Sequence, residues 1–225
     1  MALVRMAGLL LCLAPWGAQA ACSDPPKAGV DWSGCAKHRL ILRGTNLQGA
    51  KLASSELDGT DLAQANLSGA DLSRASLDRA RLSGADLSRA KLTQVNGYRS
   101  NFSAAKFAGA DLTKAELIRS NLSGADLSGV NMEKAELPRA SLEGANLSGA
   151  NLSSADLART SLVKAKLAGA RFSKARMFLT RIEGVDLSAV TGLVQSQLDS
   201  ACGNNQTRLP AGLKAPASWP CAKEE

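Results

Sequence analysis

The sequence predicts an all-β solenoid, in which the chain winds as a coil and turns a corner every five residues. From Leu42 to Leu187, every fifth residue is Leu, Phe, Met or Ile, with one exception at Gly97. Two residues before each of these, from Leu47 onward, stands a small residue, most often Ala and sometimes Ser, Thr or Val. Two residues after it stands, in many repeats, a Gly, which eases a turn because it has no Cβ.

A period of five residues fits neither an α-helix nor a flat strand. On an α-helix, successive leucines would lie roughly 140° apart and form no face. On a straight strand, they would alternate between the two sides. All of them point inward only if each repeat contains a corner. The small residue and the Leu then face the core, and the residues next to the Leu face outward.

The arginines at the corner position indicate how many sides the coil has. Twenty residues equal four repeats, and five of the seven corner arginines recur at intervals of twenty, which favours four sides. The seven are Arg74, Arg79, Arg89, Arg99, Arg119, Arg139 and Arg159.

Repeats such as Ala65–Gly69 (ANLSG) closely resemble the A-(D/N)-L-x-x pattern of the pentapeptide-repeat family, from Val30 to about Val190. The resemblance implies a right-handed quadrilateral β-helix with twenty residues per turn. Residues 30–189 would then form about eight coils, stacked about 4.8 Å apart.

The first twenty residues have the order of a secretory signal peptide. Arg5 precedes the apolar run Met6–Ala14, and small residues predict cleavage after Ala20. The run is too short to span a bilayer, which takes about 20 residues. We therefore expect a bacterial protein that is periplasmic or secreted, without a transmembrane segment. Lipidation of Cys22 stays open, although Gln19 stands where a lipoprotein signal usually has an aliphatic residue.

The mature chain divides into three parts. Residues 21–39 form an N-terminal cap with degenerate first repeats, residues 40–190 form the repeat β-helix, and residues 191–225 form a C-terminal cap. The last part combines a short helix within Thr191–Ser200 with an extended tail. Caps are expected because the end coils of a solenoid lack a neighbour and would leave open edges.

Four cysteines remain after the signal peptide, two before the repeats and two after them. The natural pairs are Cys22–Cys35 and Cys202–Cys221, one disulfide at each end, as expected in an oxidising compartment. A metal site would have to gather ligands from opposite ends of a rod, with only His38 to help, so we expect no metal.

The candidate functional surface is the fourth face, counted from Leu42, whose core positions are 57, 77, 97, 117, 137, 157 and 177. Its corners carry an arginine ladder, and the outward position after its core residue carries an apolar stripe. The arginine ladder is Arg79, Arg99, Arg119, Arg139 and Arg159, and the apolar stripe is Tyr98, Ile118, Pro138 and Phe178.

Two interpretations of this face stay open. Apolar residues beside stacked arginines are typical of an interaction surface. Alternatively, the arginines pair with the acid column of the same face, and the tail covers the stripe with Leu213 and Trp219. The acid column is Glu116, Glu136 and Asp156.

The chain is basic, with 27 Lys and Arg against 20 Asp and Glu, and it stays at +6 after loss of Arg5. Basic corners on the third face adjoin the fourth face and form a basic wall with it, which suggests a polyanion as the alternative partner. Its aromatic residues are too few for a typical single-strand binder, so nucleic acid is disfavoured. The third-face corners are Arg74, Lys114, Lys134 and Lys174.

The sequence shows no recognisable pattern of catalytic residues. The only histidine is His38, and the cysteines are expected in disulfides, so a histidine-based triad is disfavoured. We expect no enzyme and no cofactor, and we interpret Gly97, in place of a core Leu, as a bulge or small cavity.

The sequence predicts a non-enzymatic exported scaffold that binds a protein or cell-envelope component through a flat face, with a homodimer possible. The family's acidic gyrase-binding DNA mimics are a poor match, because this chain is basic and carries an export signal.

Overall fold

The computed structural model describes residues 22–221, so the predicted signal peptide lies outside the described residues. Within that range the β-structure consists of isolated parallel bridges, one in each repeat, beginning with Asp31 to Lys51. Each bridge joins residues twenty apart until Arg171 to Thr191. A short helix, α1, spans Gln195–Asp199.

Backbone hydrogen bonds along each bridge hold one layer on the next. The N–H of Leu67 donates to the carbonyl of Asp86 at 2.7 Å, and the N–H of Asp86 donates to Ala65 at 2.9 Å. Twenty residues are four pentapeptides, so each repeat pairs with the repeat four positions further along the chain. The side chains in one column therefore stack at about 4.8 Å, the distance between paired strands.

The corners require a left-handed backbone. From Leu42 to Ile182, the residue two positions after each core position has a positive φ, for example 65° at Gly69 and 58° at Arg74. Glycine adopts this conformation without cost, whereas other residues bring their Cβ close to the backbone. The hydrogen bond from the N–H of Ala70 to the carbonyl of Leu67, at 3.0 Å, closes the turn.

The core is a set of stacked leucines with alanines between them, almost all with less than 2% of their surface exposed. Several inward positions carry hydroxyls instead of Ala, namely Ser55, Thr60, Ser100, Ser120, Thr160 and Thr180. Each donates to a backbone carbonyl, as Thr160 does to Leu137 at 2.6 Å and Thr180 to Leu157 at 2.7 Å. Burying these groups costs little because they are hydrogen-bonded.

The expectation of a bulge or cavity at Gly97 is wrong. The bridges from Asn96 keep the twenty-residue register on both sides, so the chain does not bulge. A Cβ on Gly97 would lie 2.8 Å from Leu117 Cδ2 and 3.3 Å from Phe102 Cε2, so the space is filled. Phe102 and Phe107, whose ring centroids are 5.6 Å apart, replace leucines in the same turn. Their extra volume compensates for the missing side chain.

At the N-terminal end, Lys37 takes the place of a core leucine. Its Nζ lies 4.2 Å from the ring centroid of Trp32 and donates to the carbonyl of Cys22. Cys22 and Cys35 form the expected pair, with an S–S distance of 1.90 Å. The ammonium thus closes the leucine column with a group that tolerates water.

At the C-terminal end, α1 and the tail lie against the last turn. The side-chain amide of Gln197 in α1 donates to the carbonyls of Phe172 and Ala175, both at 2.8 Å. Cys202 and Cys221 form the second expected pair, at 2.10 Å. Among the described residues, no helix is long and apolar enough to cross a membrane.

We predict that the filling of the Gly97 site is energetically coupled to Phe102. Gly97→Leu should lower the free energy of unfolding by about 1–3 kcal/mol through overpacking. Phe102→Leu should also destabilise, by leaving a cavity. The double variant should be more stable than the sum of the two losses predicts, as measured by urea denaturation.

The matched control combines Gly97→Leu with Phe172→Leu, because Phe172 is buried on another face several turns away. Those two losses should add. Equal additivity in both pairs would mean that Phe102 does not fill the glycine site.

A second prediction concerns acid, because aspartates before the core residue accept hydrogen bonds within their own turn. The Ser73 hydroxyl, followed by the Ser73 N–H, holds the pKa of Asp71 below its ordinary value against the opposing effect of burial. Ser128 does the same to the pKa of Asp126. A lowered folded-state pKa contributes stability above about pH 4, and this contribution is lost as the pH falls toward the folded-state pKa.

The double variant Asp71→Asn, Asp126→Asn retains acceptor oxygens but does not titrate. Its melting temperature should therefore fall less than that of the natural chain between about pH 5 and pH 2. The reciprocal change Asn121→Asp should steepen the fall, since Asn121 Oδ1 accepts the N–H of Ser123 at 3.0 Å. Identical pH profiles for all three proteins would exclude this origin of acid sensitivity.

Candidate interaction surface

The fourth face presents three outward columns over its central layers. The acid column precedes the core residues, the apolar stripe follows them, and the arginine ladder occupies the corners. Tyr98, Ile118 and Pro138 are half-buried, whereas Phe178 is 50% exposed. All five arginines of the ladder are exposed. The bridges from Asn96 through Asp156 place these layers directly on one another.

The backbone fixes each rung of the arginine ladder. The N–H of Arg99 donates to Ile118 at 3.0 Å, that of Arg119 to Pro138 at 2.9 Å, and that of Arg139 to Ala158 at 2.9 Å. Pro138 suits its place because its carbonyl is used there and it has no N–H to satisfy. The guanidinium groups therefore project from a rigid series of Cα atoms, one per layer.

Every arginine of the ladder has a left-handed backbone, with φ between 53° and 60°. Many corners of the first and second faces are glycine, as at Gly49, Gly69 and Gly109, whereas the third face, like the ladder, carries other residues. A non-glycine residue in this region costs roughly 1 kcal/mol. Each of the five arginines of the ladder therefore adopts a backbone conformation that non-glycine residues disfavour.

For Arg99, Arg119 and Arg139, the expected pairing with the acid column is not what the described residues show. Asp156 binds Arg176 instead, with Nε and Oδ1 3.1 Å apart. Within residues 22–221, no carboxylate lies within 4.0 Å of the guanidinium of Arg99, Arg119 or Arg139. The guanidinium of Arg99 lies over the ring of its neighbour Tyr98, at 5.1 Å.

The described part of the C-terminal tail, up to Cys221, contacts the end of the coil. The ring of Trp219 lies on Gly203, where an added Cβ would come within 2.4 Å of it, and its Nε1 donates to Ala201 at 2.7 Å. Lys214 exchanges hydrogen bonds with Gln195 of α1. The placement of Trp219 along the stripe, which the sequence left open, is therefore wrong.

The third-face corners are exposed, but two of their charges are partly occupied. Arg74 Nε donates to Gln94 Oε1 at 3.1 Å, and Lys134 Nζ lies 3.6 Å from Glu133. The basic wall is consequently interrupted by carboxylates, including the acid column between its two edges.

His38 lies at the N-terminal end of the fourth face, between two carboxylates. Its Nε2 is 2.8 Å from Glu56 Oε2, and its Nδ1 is 3.4 Å from Asp58 Oδ2. The nearby Ser76 hydroxyl donates to Asp58, not to the imidazole, so this arrangement does not activate a nucleophile. In the described part of the chain, no three His, Cys, Asp or Glu residues are grouped to hold a metal ion.

The family model for pentapeptide repeats matches eight copies, over residues 38–69, 55–94, 98–133 and 140–177, which together exceed half of the chain. The chain belongs to the pentapeptide-repeat family. Its fold is accordingly a right-handed β-helix solenoid. No protein among those with curated descriptions matches this pentapeptide-repeat protein.

Solved structures of other family members are similar to the chain. QnrB1, a plasmid-mediated fluoroquinolone resistance protein, has a TM-score of 0.50 at 19% identity. The match covers 81% of this chain and 88% of the QnrB1 chain. HetL, involved in heterocyst differentiation regulation in the cyanobacterium Nostoc sp. strain PCC 7120, is 25% identical, with a TM-score of 0.39. The match covers 86% of this chain and 95% of the HetL chain. A pentapeptide repeat protein of the Arabidopsis thaliana thylakoid lumen is 27% identical, with a TM-score of 0.42. The match covers 42% of this chain and 66% of the Arabidopsis chain.

We predict that the ladder lowers the stability of this pentapeptide-repeat protein. Arg119→Gly and Arg139→Gly should each raise the free energy of unfolding by up to about 1 kcal/mol, because glycine adopts the left-handed corner freely. The control Lys106→Gly, at an exposed bridge position, should instead destabilise, since glycine weakens extended backbone. Thermal unfolding measures both, and a loss of stability in the arginine variants would reveal a stabilising contact of these side chains.

Proposed function

We propose that this chain is a non-enzymatic, exported interaction protein that binds a protein or cell-envelope component through its fourth face. The observation that carries the proposal is the state of Arg99, Arg119 and Arg139. They are exposed, sit on left-handed corners, and have no carboxylate within 4.0 Å in the described chain. Stacked like charges beside an apolar stripe are costly in the free protein, and a complementary partner would relieve that cost.

The proposed architecture is finer than the family fold alone. We infer a quadrilateral section of about eight coils, because the bridges recur every twenty residues from Asp31 to Thr191. We also infer that Lys37 and the first disulfide cap one end, while α1 and the second disulfide cap the other. With both ends occupied, a side of the coil is the surface left for a partner.

The proposed export accords with the cysteines. Both pairs lie at disulfide distance, and disulfides persist in oxidising compartments. A periplasmic or secreted location is therefore the natural setting for the proposed interaction.

The alternative function is binding of a polyanion by the basic wall, which the exposed third-face corners favour. The two functions differ in their response to salt. Binding to a polyanion weakens steeply as salt rises, because counterions must be released. An interface that includes the apolar stripe should retain more of its affinity.

We predict that capture of a partner depends on the fourth face. The test compares the mature protein with a variant carrying Ser at Arg99, Arg119 and Arg139 and Thr at Tyr98, Ile118 and Phe178. An affinity pulldown from envelope extract should retrieve a protein or envelope component that the variant loses. The loss should be about tenfold or more, as expected for removal of a central apolar and charged cluster.

The control variant changes Arg89, Lys106 and Lys166 to Gln, cations that lie half a period away from the fourth face. It should capture the same partner as the natural chain. Equal capture by all three proteins, with the variants still folded by circular dichroism, would contradict the assignment to the fourth face.

A further inference from the structure

We propose that the partner of the fourth face is an α-helix, lying along the coil axis, that carries an acidic stripe beside an apolar stripe. This inference rests on the proposed function and specifies the chemistry of its partner. It follows from the spacing of the ladder, the shape of the apolar stripe, and the position of the acid column.

The spacing of the ladder matches a helix better than an extended peptide. The rungs repeat at about 4.8 Å. Acidic residues at i, i+4, i+7 and i+11 of a helix recur at about one turn, or 5.4 Å. Over the three rungs Arg99, Arg119 and Arg139, the two series drift apart by only about 1 Å, well within the reach of arginine side chains.

An extended peptide offers a poorer match to the same rungs. Its side chains on one face recur every two residues, at about 6.7 Å. Over three rungs it would already be displaced by nearly one rung. One guanidinium would then lack a carboxylate.

The apolar stripe has an uneven surface that can receive side chains from a helix. Pro138 and Phe178 flank Ala158, which is 5% exposed, so the stripe has a step at that layer. The backbone bridges continue through this layer, from Glu136 to Asp156 and from Asp156 to Arg176. A large apolar side chain of the partner fits this step, and the stripe gives its neighbours further contact area.

The acid column argues against a uniform polyanion as the occupant. Glu116 and Glu136 are exposed and precede the core residues that Ile118 and Pro138 follow. The apolar stripe therefore has arginines on one side and carboxylates on the other. A polyanion broad enough to cover the face would be repelled by these carboxylates, whereas a helix with acidic residues on one flank only avoids them.

The test uses a designed helical peptide with Glu at i, i+4, i+7 and i+11 and Leu on the adjacent stripe. Its isomer has the same composition, with the Glu residues distributed around the helix. Fluorescence anisotropy with the mature protein should show binding of the patterned peptide about tenfold tighter than the isomer, as expected for three exposed charge pairs. Arg99→Gln, Arg119→Gln and Arg139→Gln together should remove this preference, and the control with Gln at Arg89, Lys106 and Lys166 should keep it.

Three results would overturn the inference. Equal affinity for the patterned peptide and its isomer excludes recognition of the stripe, and absence of binding to either excludes a helix as the occupant. Tighter binding of heparin, with a steep salt dependence, would assign the face to a polyanion. If the envelope pulldown still depends on the ladder, the proposed function survives while the helix is rejected; if that dependence is also absent, both are rejected.

Discussion

The parallel hydrogen bonding between residues twenty apart is the constraint on which this molecule depends. Each inward leucine can reach the core only if the chain turns a corner before the next repeat. The residue at that corner has a left-handed backbone conformation, as at Gly69 and Arg74. Each turn in turn satisfies its backbone groups through the turns above and below it. No layer is therefore stable alone, and the stability of the solenoid comes from contacts between neighbouring layers.

Much of this architecture could be predicted from the sequence, because the repeat determines both which residues point inward and where the corners fall. The two cysteine pairs also followed from their positions outside the repeats. The filling of Gly97 could not be predicted, because it depends on how the ring of Phe102 crosses the core from a neighbouring side. The contact of Trp219 with Gly203 was likewise beyond a periodic pattern, since the tail has no repeat to fix its course.

The candidate site was identified from the spacing of its arginines, yet its electrostatic state depended on side-chain geometry. The sequence allowed Asp156 to neutralise the ladder, but the chain directs this carboxylate to Arg176. Below the ladder, the Thr160 hydroxyl fixes the carbonyl of Leu137 from within the core, a role usually left to the backbone alone. Polar contacts thus strengthen the inner side of the corner, while Arg99, Arg119 and Arg139 on its outer side have no carboxylate within 4.0 Å among the described residues.

The twenty-residue register also limits how a gene for this protein can change length. Duplication of a single pentapeptide would leave the core pattern intact, because every repeat contributes the same inward residues. A duplication between Arg99 and Arg119 would nevertheless move all later residues onto the neighbouring column, so that Arg119 and Arg139 would no longer stack on Arg99. Only insertion or loss of a whole turn preserves the columns on both sides of the event. Selection on the core tolerates steps of five residues, whereas selection on a surface column tolerates only steps of twenty.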